Sequence, residues 1–186
     1  MMKYLIIISI LFFISEFSLM LVKRSSVKSS KIQKDKGSLV LLWVTITISF
    51  TLGFMFANYH HWGYREYLVY GVGLFIVLVG FIVRWASIIQ LKKAFTVDVA
   101  IGTEQKLKTD GIYKIVRHPS YLGLLLIMGG FSICMNSLIS IVVIIILMSL
   151  VILYRIVVEE RVLSGAFGDA YKSYQASTKR LIPWIY

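Results

Sequence analysis

The stretch Leu138–Val157, LISIVVIIILMSLVILYRIV, carries a single charge, Arg155. A run of ~18 or more apolar residues, wound as a helix, matches the hydrocarbon thickness of a bilayer. The pattern recurs at about 3–22, 38–57, 67–91 and 119–135. The chain is 58% hydrophobic, whereas a soluble domain is nearer ~45–50% apolar. The expected fold is therefore all-α: one polytopic membrane bundle over residues 1–186, with five transmembrane helices. The polar segment 92–118 is too mixed to span, and 158–186 reads as a partly amphipathic tail.

Charge sets the orientation. Segments 23–36, 92–118 and 158–186 hold nearly all of the 20 Lys and Arg, and with five spans all three fall on one side. That side is expected to be the cytoplasm, with the N-terminus outside and the C-terminus inside. The net charge of +11 then reflects retained positive loops, and no nucleic-acid partner is expected. The first apolar run is long, lacks a small-x-small cleavage site and ends in a basic stop, so it reads as a retained span. The turn NYHHWGY falls outside, where Tyr and Trp suit the lipid interface. Its adjacent His60 and His61 have neither the spacing nor the carboxylates of a metal site, and no metal is expected. With Cys134 as the one cysteine, no disulfide can form within the chain.

Polar residues at membrane depth are expensive and therefore candidates for function. Glu16 reads as a buried structural carboxyl or as a group near a ligand. Arg84 reads as a cation snorkelling to the headgroups. Gly73 and Gly80 share a helical face suited to close packing. In RHPSYLG, Pro119 fits the first position of a helix, where a missing N–H costs nothing. The N–H groups of Ser120, Tyr121 and Leu122, with Arg117, could receive an anion there, or the segment could be a capped helix with a basic flank. After the last span, Arg155 and Glu159 share a face four residues apart, with Glu160 turned from them. Phe167, Tyr171 and Tyr174 follow as an aromatic stripe. The fourth and fifth spans are joined by a minimal turn at Asn136–Ser137. Their other ends must be neighbours, which places Arg117, His118 and Tyr121 near Arg155, Glu159 and Glu160.

The paired segments LKTDGIYKIVRHPSYLG (107–123) and RIVVEERVLSGAFGDAYKSYQASTKRLIP (155–183) resemble the isoprenylcysteine carboxyl methyltransferase family. The resemblance covers about the C-terminal half, and no strand followed by a Gly-rich loop and helix, as in soluble methyltransferases, is present. It implies an integral membrane methyltransferase that uses S-adenosylmethionine in a cytoplasmic pocket over the last two spans, with 92–118 as the cofactor loop. Cofactor contacts would fall on Gln105, Lys106, Leu107, Lys108, Tyr113, Arg117, His118, Pro119, Ser120, Tyr121 and Glu159. Arg155 and Glu160 would be catalytic, and the acceptor would be a lipophilic or prenylated carboxylate drawn from the bilayer. The alternatives are a phospholipid or other lipid N-methyltransferase, a sterol-type reductase using NADPH, and a membrane subunit without enzymatic activity.

Overall fold

A computed structural model describes residues 2–22, 37–59, 66–91 and 107–183. The described residues form six α-helices and no β-strand: α1 Met2–Val22, α2 Gly37–Tyr59, α3 Glu66–Leu91, α4 Pro119–Cys134, α5 Leu138–Phe167 and α6 Asp169–Ser177. A 3₁₀ turn at Gly111–Lys114 precedes α4. Among the described residues, three helices are long and apolar enough to cross a membrane: α2, α3 and α5. Helix α4 is equally apolar but has only 16 residues.

Helix α5 continues past the apolar stretch to Phe167, so Glu159 and Glu160 lie on the same helix as Arg155, as their spacing implied. It stops where Gly168 takes φ 53°, a conformation that favours glycine. The aromatic stripe is thereby split. Phe167 ends α5, while Tyr171 and Tyr174 form the buried face of α6.

Ring packing ties the bundle together at mid-depth. Phe12 of α1 is fully buried, 6.2 Å from Phe50 of α2, 6.2 Å from Phe81 of α3 and 6.1 Å from Phe131 of α4 (ring centroids). Helix α5 packs on both α2 and α4. Asn136 (φ 50°) and Ser137 make the tight α4–α5 turn, and the Ser137 side chain caps α5 by accepting from the Ser140 N–H.

Helices α3 and α4 run antiparallel along a glycine seam. A Cβ on Gly73 would lie 2.8 Å from the carbonyl oxygen of Gly130, and one on Gly80 would lie 2.8 Å from that of Gly123. Gly123 and Gly130 of α4, like Gly73 and Gly80 of α3, are two turns apart, so small residues face small residues. Backbones can approach this closely only without side chains between them. Gly71, on another face, has nothing within 4 Å of such a Cβ. Gly80→Ala is therefore expected to cost about 1–3 kcal/mol through overpacking against backbone. Gly71→Ala is expected to be neutral or to gain about 0.5–1 kcal/mol of helix propensity. Thermal unfolding of the two variants in detergent checks this, and equal midpoints for them would contradict the seam.

Arg84 does not snorkel. It is 6% exposed and forms a two-pronged ion pair with Glu16, from Nε to Oε1 and from the second terminal nitrogen to Oε2, both at 2.5 Å. Its remaining terminal nitrogen donates to the carbonyl oxygen and to the hydroxyl of Ser120, each at 3.1 Å. A headgroup contact would leave Glu16 buried without a partner, and an unpaired buried charge costs far more than a paired one. Glu16 is thus a buried carboxyl held inside the bundle, 6% exposed.

Candidate active site

The α4–α5 hairpin delivers the residues that the sequence placed at its open end. His118 holds the N-cap position of α4 without a side-chain cap, and Pro119 takes a first-turn position. Arg155, Glu159 and Glu160 lie in the C-terminal half of α5. The imidazole of His118 is 4% exposed and stands between the two acids. Its Nδ1 lies 3.7 Å from Glu159 Oε2, and its Nε2 lies 3.4 Å from Glu160 Oε1. Both contacts fall within ion-pair range, and Nε2 makes no hydrogen bond of acceptable geometry. The His118 ring stacks on that of Tyr121 at 5.7 Å. Tyr121 in turn accepts a hydrogen bond from Arg155 Nε at 2.8 Å, and the guanidinium carbon sits 5.9 Å from its ring centroid. Arg155, 3% exposed, also donates to the hydroxyl of Ser38 at the start of α2, at 3.0 Å. A polar line thus runs from Glu159, whose side chain is 31% exposed, through His118 and Tyr121 to a guanidinium buried between helices.

Glu160 stands differently. Its Oε1 accepts from Arg117 Nε and its Oε2 from Arg180 Nε, both at 3.0 Å, and it is 5% exposed. Arg117 also donates to the carbonyl oxygens of Gln175 and Thr178. The main chain repeats the join. Arg117 N–H donates to Lys179 O at 2.8 Å and His118 N–H to Arg180 O at 3.0 Å, around an isolated parallel bridge between Val116 and Lys179. Glu160 and Arg117 therefore clamp the C-terminal segment onto the approach to α4.

The α4 start does not offer three free N–H groups. The amides of Tyr121 and Leu122 both donate to the carbonyl oxygen of His118, at 3.1 and 3.2 Å, in a tightened first turn. Arg117 is likewise turned to a buried carboxylate and to two carbonyls. His118 and Tyr121, by contrast, face Glu159 and Arg155.

The loop before α4 is fastened to α3 and α6. Tyr113 donates to Ser87 O at 3.3 Å and accepts at its own carbonyl from the Tyr174 hydroxyl at 2.6 Å, while the Ile112 N–H donates to Gln90 Oε1 at 3.0 Å. Burial pushes the Tyr174 phenol up to about 12, with Arg117 pulling the other way. Burial also raises Tyr113, helped by the nearby Glu159 charge, and burial raises Tyr171, helped by Glu160 and Glu159. All three remain neutral donors near neutral pH. The Tyr171 hydroxyl is buried without a partner. Lys108 pairs with the exposed Asp110 rather than with the cluster. Ser120 is held by Arg84. Leu107 is half-buried, and Gln105 and Lys106, like His60 and His61, lie outside the described residues. Among the described residues, no group of three or more His, Cys, Asp or Glu is arranged to hold a metal ion.

Sequence reading missed Arg180, Ser38 and the pairing of Glu16 with Arg84. Arg180 lies in a basic tail where any cation looks solvated, and Ser38 carries no signal. Glu16 and Arg84 had one: a lone acid and a lone base deep in two separate apolar spans.

The phospholipid methyltransferase family model matches residues 68–170, more than half of the chain. Protein-S-isoprenylcysteine O-methyltransferase A of Arabidopsis thaliana is 32% identical over 123 residues, covering 65% of this chain and 62% of its own. Methanethiol S-methyltransferase 1 of Bradyrhizobium diazoefficiens is 33% identical over 83 residues, covering 45% of this chain and 28% of its own. The solved structure of the eukaryotic intramembrane Ras methyltransferase, an isoprenylcysteine carboxyl methyltransferase, superposes with a TM-score of 0.59 at 27% identity, over 80% of this chain and 51% of that one. The chain thus spans about three fifths of the length of the plant relative. With its apolar helices, this likeness makes it an integral membrane protein. On the match across α3, the loop, α4 and α5, the chain belongs to the phospholipid methyltransferase family and is similar within it to the isoprenylcysteine methyltransferases.

Proposed function

We propose that this protein is a membrane methyltransferase that esterifies the carboxylate of a lipophilic acceptor, of the kind a prenylated cysteine presents, with S-adenosylmethionine as methyl donor. The observation that carries the reading is Arg155: a guanidinium 3% exposed, one helical turn before the partly exposed Glu159. A planar cation buried in an apolar bundle suits a carboxylate, which it can hold by two parallel hydrogen bonds. It disfavours an amine acceptor, which is cationic at neutral pH and would meet a like charge in a low dielectric. This weighs against lipid N-methylation, the runner-up that the family's name suggests.

The residues present fit the donor. The Tyr171 hydroxyl is a buried polar atom with no hydrogen-bond partner, His118 Nε2 has only Glu160 at 3.4 Å, and Glu159 is an accessible carboxylate beside His118. His118, Ser120, Tyr121 and Glu159 would hold the donor, with Tyr113, Leu107, Lys108, Gln105 and Lys106 on its loop side. When bound, S-adenosylmethionine supplies an electrophilic methyl group on a sulfonium. Arg155 and Tyr121 orient the acceptor carboxylate, which is ionised at neutral pH and needs no general base. The surrounding apolar side chains exclude water, so catalysis is chiefly positioning and desolvation. Glu160 and Arg117 act by fixing the walls of the mouth. In the bilayer, the reading is five spans with the N-terminus outside and the mouth facing the cytoplasm. Helix α4 is short for a span, but its ends are buried in protein rather than in lipid.

The test uses purified protein in detergent, methyl-labelled S-adenosylmethionine, a farnesylated cysteine derivative and a phosphatidylethanolamine. Label on the cysteine derivative that mild base releases as methanol is the expected result. Base-stable label on the phospholipid, or none on either, overturns the proposal.

A further inference from the structure

The Glu16–Arg84 pair is more than a neutralised charge. All three guanidinium nitrogens of Arg84 are committed, two to Glu16 of α1 and one to Ser120 of α4. The main chain of Arg84 is pressed on the same turn: a Cβ on Gly123 would meet Arg84 N at 2.6 Å. Ser120 is followed directly by Tyr121, whose hydroxyl meets Arg155 and whose ring stacks on His118. One guanidinium therefore connects α1, α3 and the turn that carries the residues at the mouth. Neutralisation alone would not require the contact to Ser120, because Glu16 already satisfies the charge. Helix α1 lies outside residues 68–170, over which the family model matches, so this contact brings a helix from outside that match to the site.

We infer that Arg84, oriented by Glu16, is a positioning residue that fixes the first turn of α4 and with it the placement of Tyr121 against Arg155. The inference rests on the methyltransferase reading for its effect on catalysis, but its structural arm does not. Glu16 holds the fork of Arg84 in one rotamer, and Arg84 holds Ser120 by its hydroxyl and its carbonyl. A side chain of equal volume but no hydrogen bonds would fill the space and leave the turn unheld.

The double variant Glu16→Leu/Arg84→Met tests this, because replacing a buried ion pair by apolar residues of similar volume often leaves stability unchanged. It should unfold near the wild-type temperature. Its Tyr121 and Leu122 amides, which donate to His118 O, should exchange with solvent ~tenfold faster or more without any ligand. Turnover should fall ~100-fold, as for a misplacement of about an ångström in the reacting groups. Wild-type exchange in a folded double variant overturns the inference, as does wild-type turnover where the wild type is active. If the double variant does not fold, Arg84→Lys replaces it. A lysine keeps the charge but has no planar fork to hold Glu16 in two prongs while a separate nitrogen reaches Ser120, so the same faster exchange is expected, and wild-type exchange overturns the inference. Failure of methyl transfer in the wild type removes the functional reading, and the exchange measurement still decides the positioning.

Discussion

Arg155→Ala is expected to reduce methyl transfer by ~30-fold to several thousand-fold while the protein still binds the donor. The lower figure corresponds to losing one charged contact of about 2 kcal/mol and the upper to about 5 kcal/mol for a buried, hydrogen-bonded pair. The guanidinium is 3% exposed, so its contact with a carboxylate is little weakened by water. The variant also removes the donors to Ser38 and Tyr121. Both are hydroxyls that can turn to other partners, so the bundle should survive. Arg155→Lys should recover only a small part of the activity, since a lysine cannot present a planar fork. The measurement is turnover beside the thermal shift given by S-adenosylhomocysteine, because a ligand that binds the folded form raises its apparent stability. Retained turnover in Arg155→Ala ends the role assigned to this residue. Loss of the thermal shift with loss of turnover would move Arg155 to the donor side of the site.

Glu160→Ala is expected to act on stability first. Removing this carboxylate leaves the side chain of Arg117, 7% exposed, facing Arg180 and His118 with nothing between them. Breaking a buried ion pair from one side costs about 3–5 kcal/mol. Part of that cost should appear as release of the C-terminal segment, since Arg117 also holds the carbonyls of Gln175 and Thr178. Protease cleavage within 178–183 should therefore rise before global unfolding, and the melting temperature in detergent should fall. Glu160→Gln should lie between, because an amide can accept from one arginine. If Glu160→Gln instead melts with the wild type and loses turnover by orders of magnitude, Glu160 is catalytic in the sense that the sequence first suggested.

These two residues show what a sequence can and cannot separate. Arg155 and Glu160 are both charges at the end of one apolar run, and both lie in the motif that carries the family resemblance. Their roles part only through what surrounds them. Arg155 points between α2 and α4 toward hydroxyls, whereas Glu160 points to two arginines, one of them from a tail residue some twenty positions later. The same holds for Arg117. Its basic flank was legible, but its turning away from the helix start followed from a carboxylate and two carbonyls that no local pattern announces.

The sequence by itself determined the helical architecture, because long apolar runs leave a backbone in lipid no option but internal hydrogen bonds. It also determined that the start of α4 would lie beside the Arg155–Glu160 stretch of α5, because a tight turn at Asn136–Ser137 permits nothing else. It determined the glycine faces of α3, since a repeat of two turns is a property of the chain. Tertiary structure alone decided that Arg84 would face Glu16 and not the headgroups, and that Arg180 would close on Glu160. Each of these depends on which buried charge finds a partner in a segment distant in sequence. That choice is set by packing and desolvation, and neither is written in a local stretch of residues.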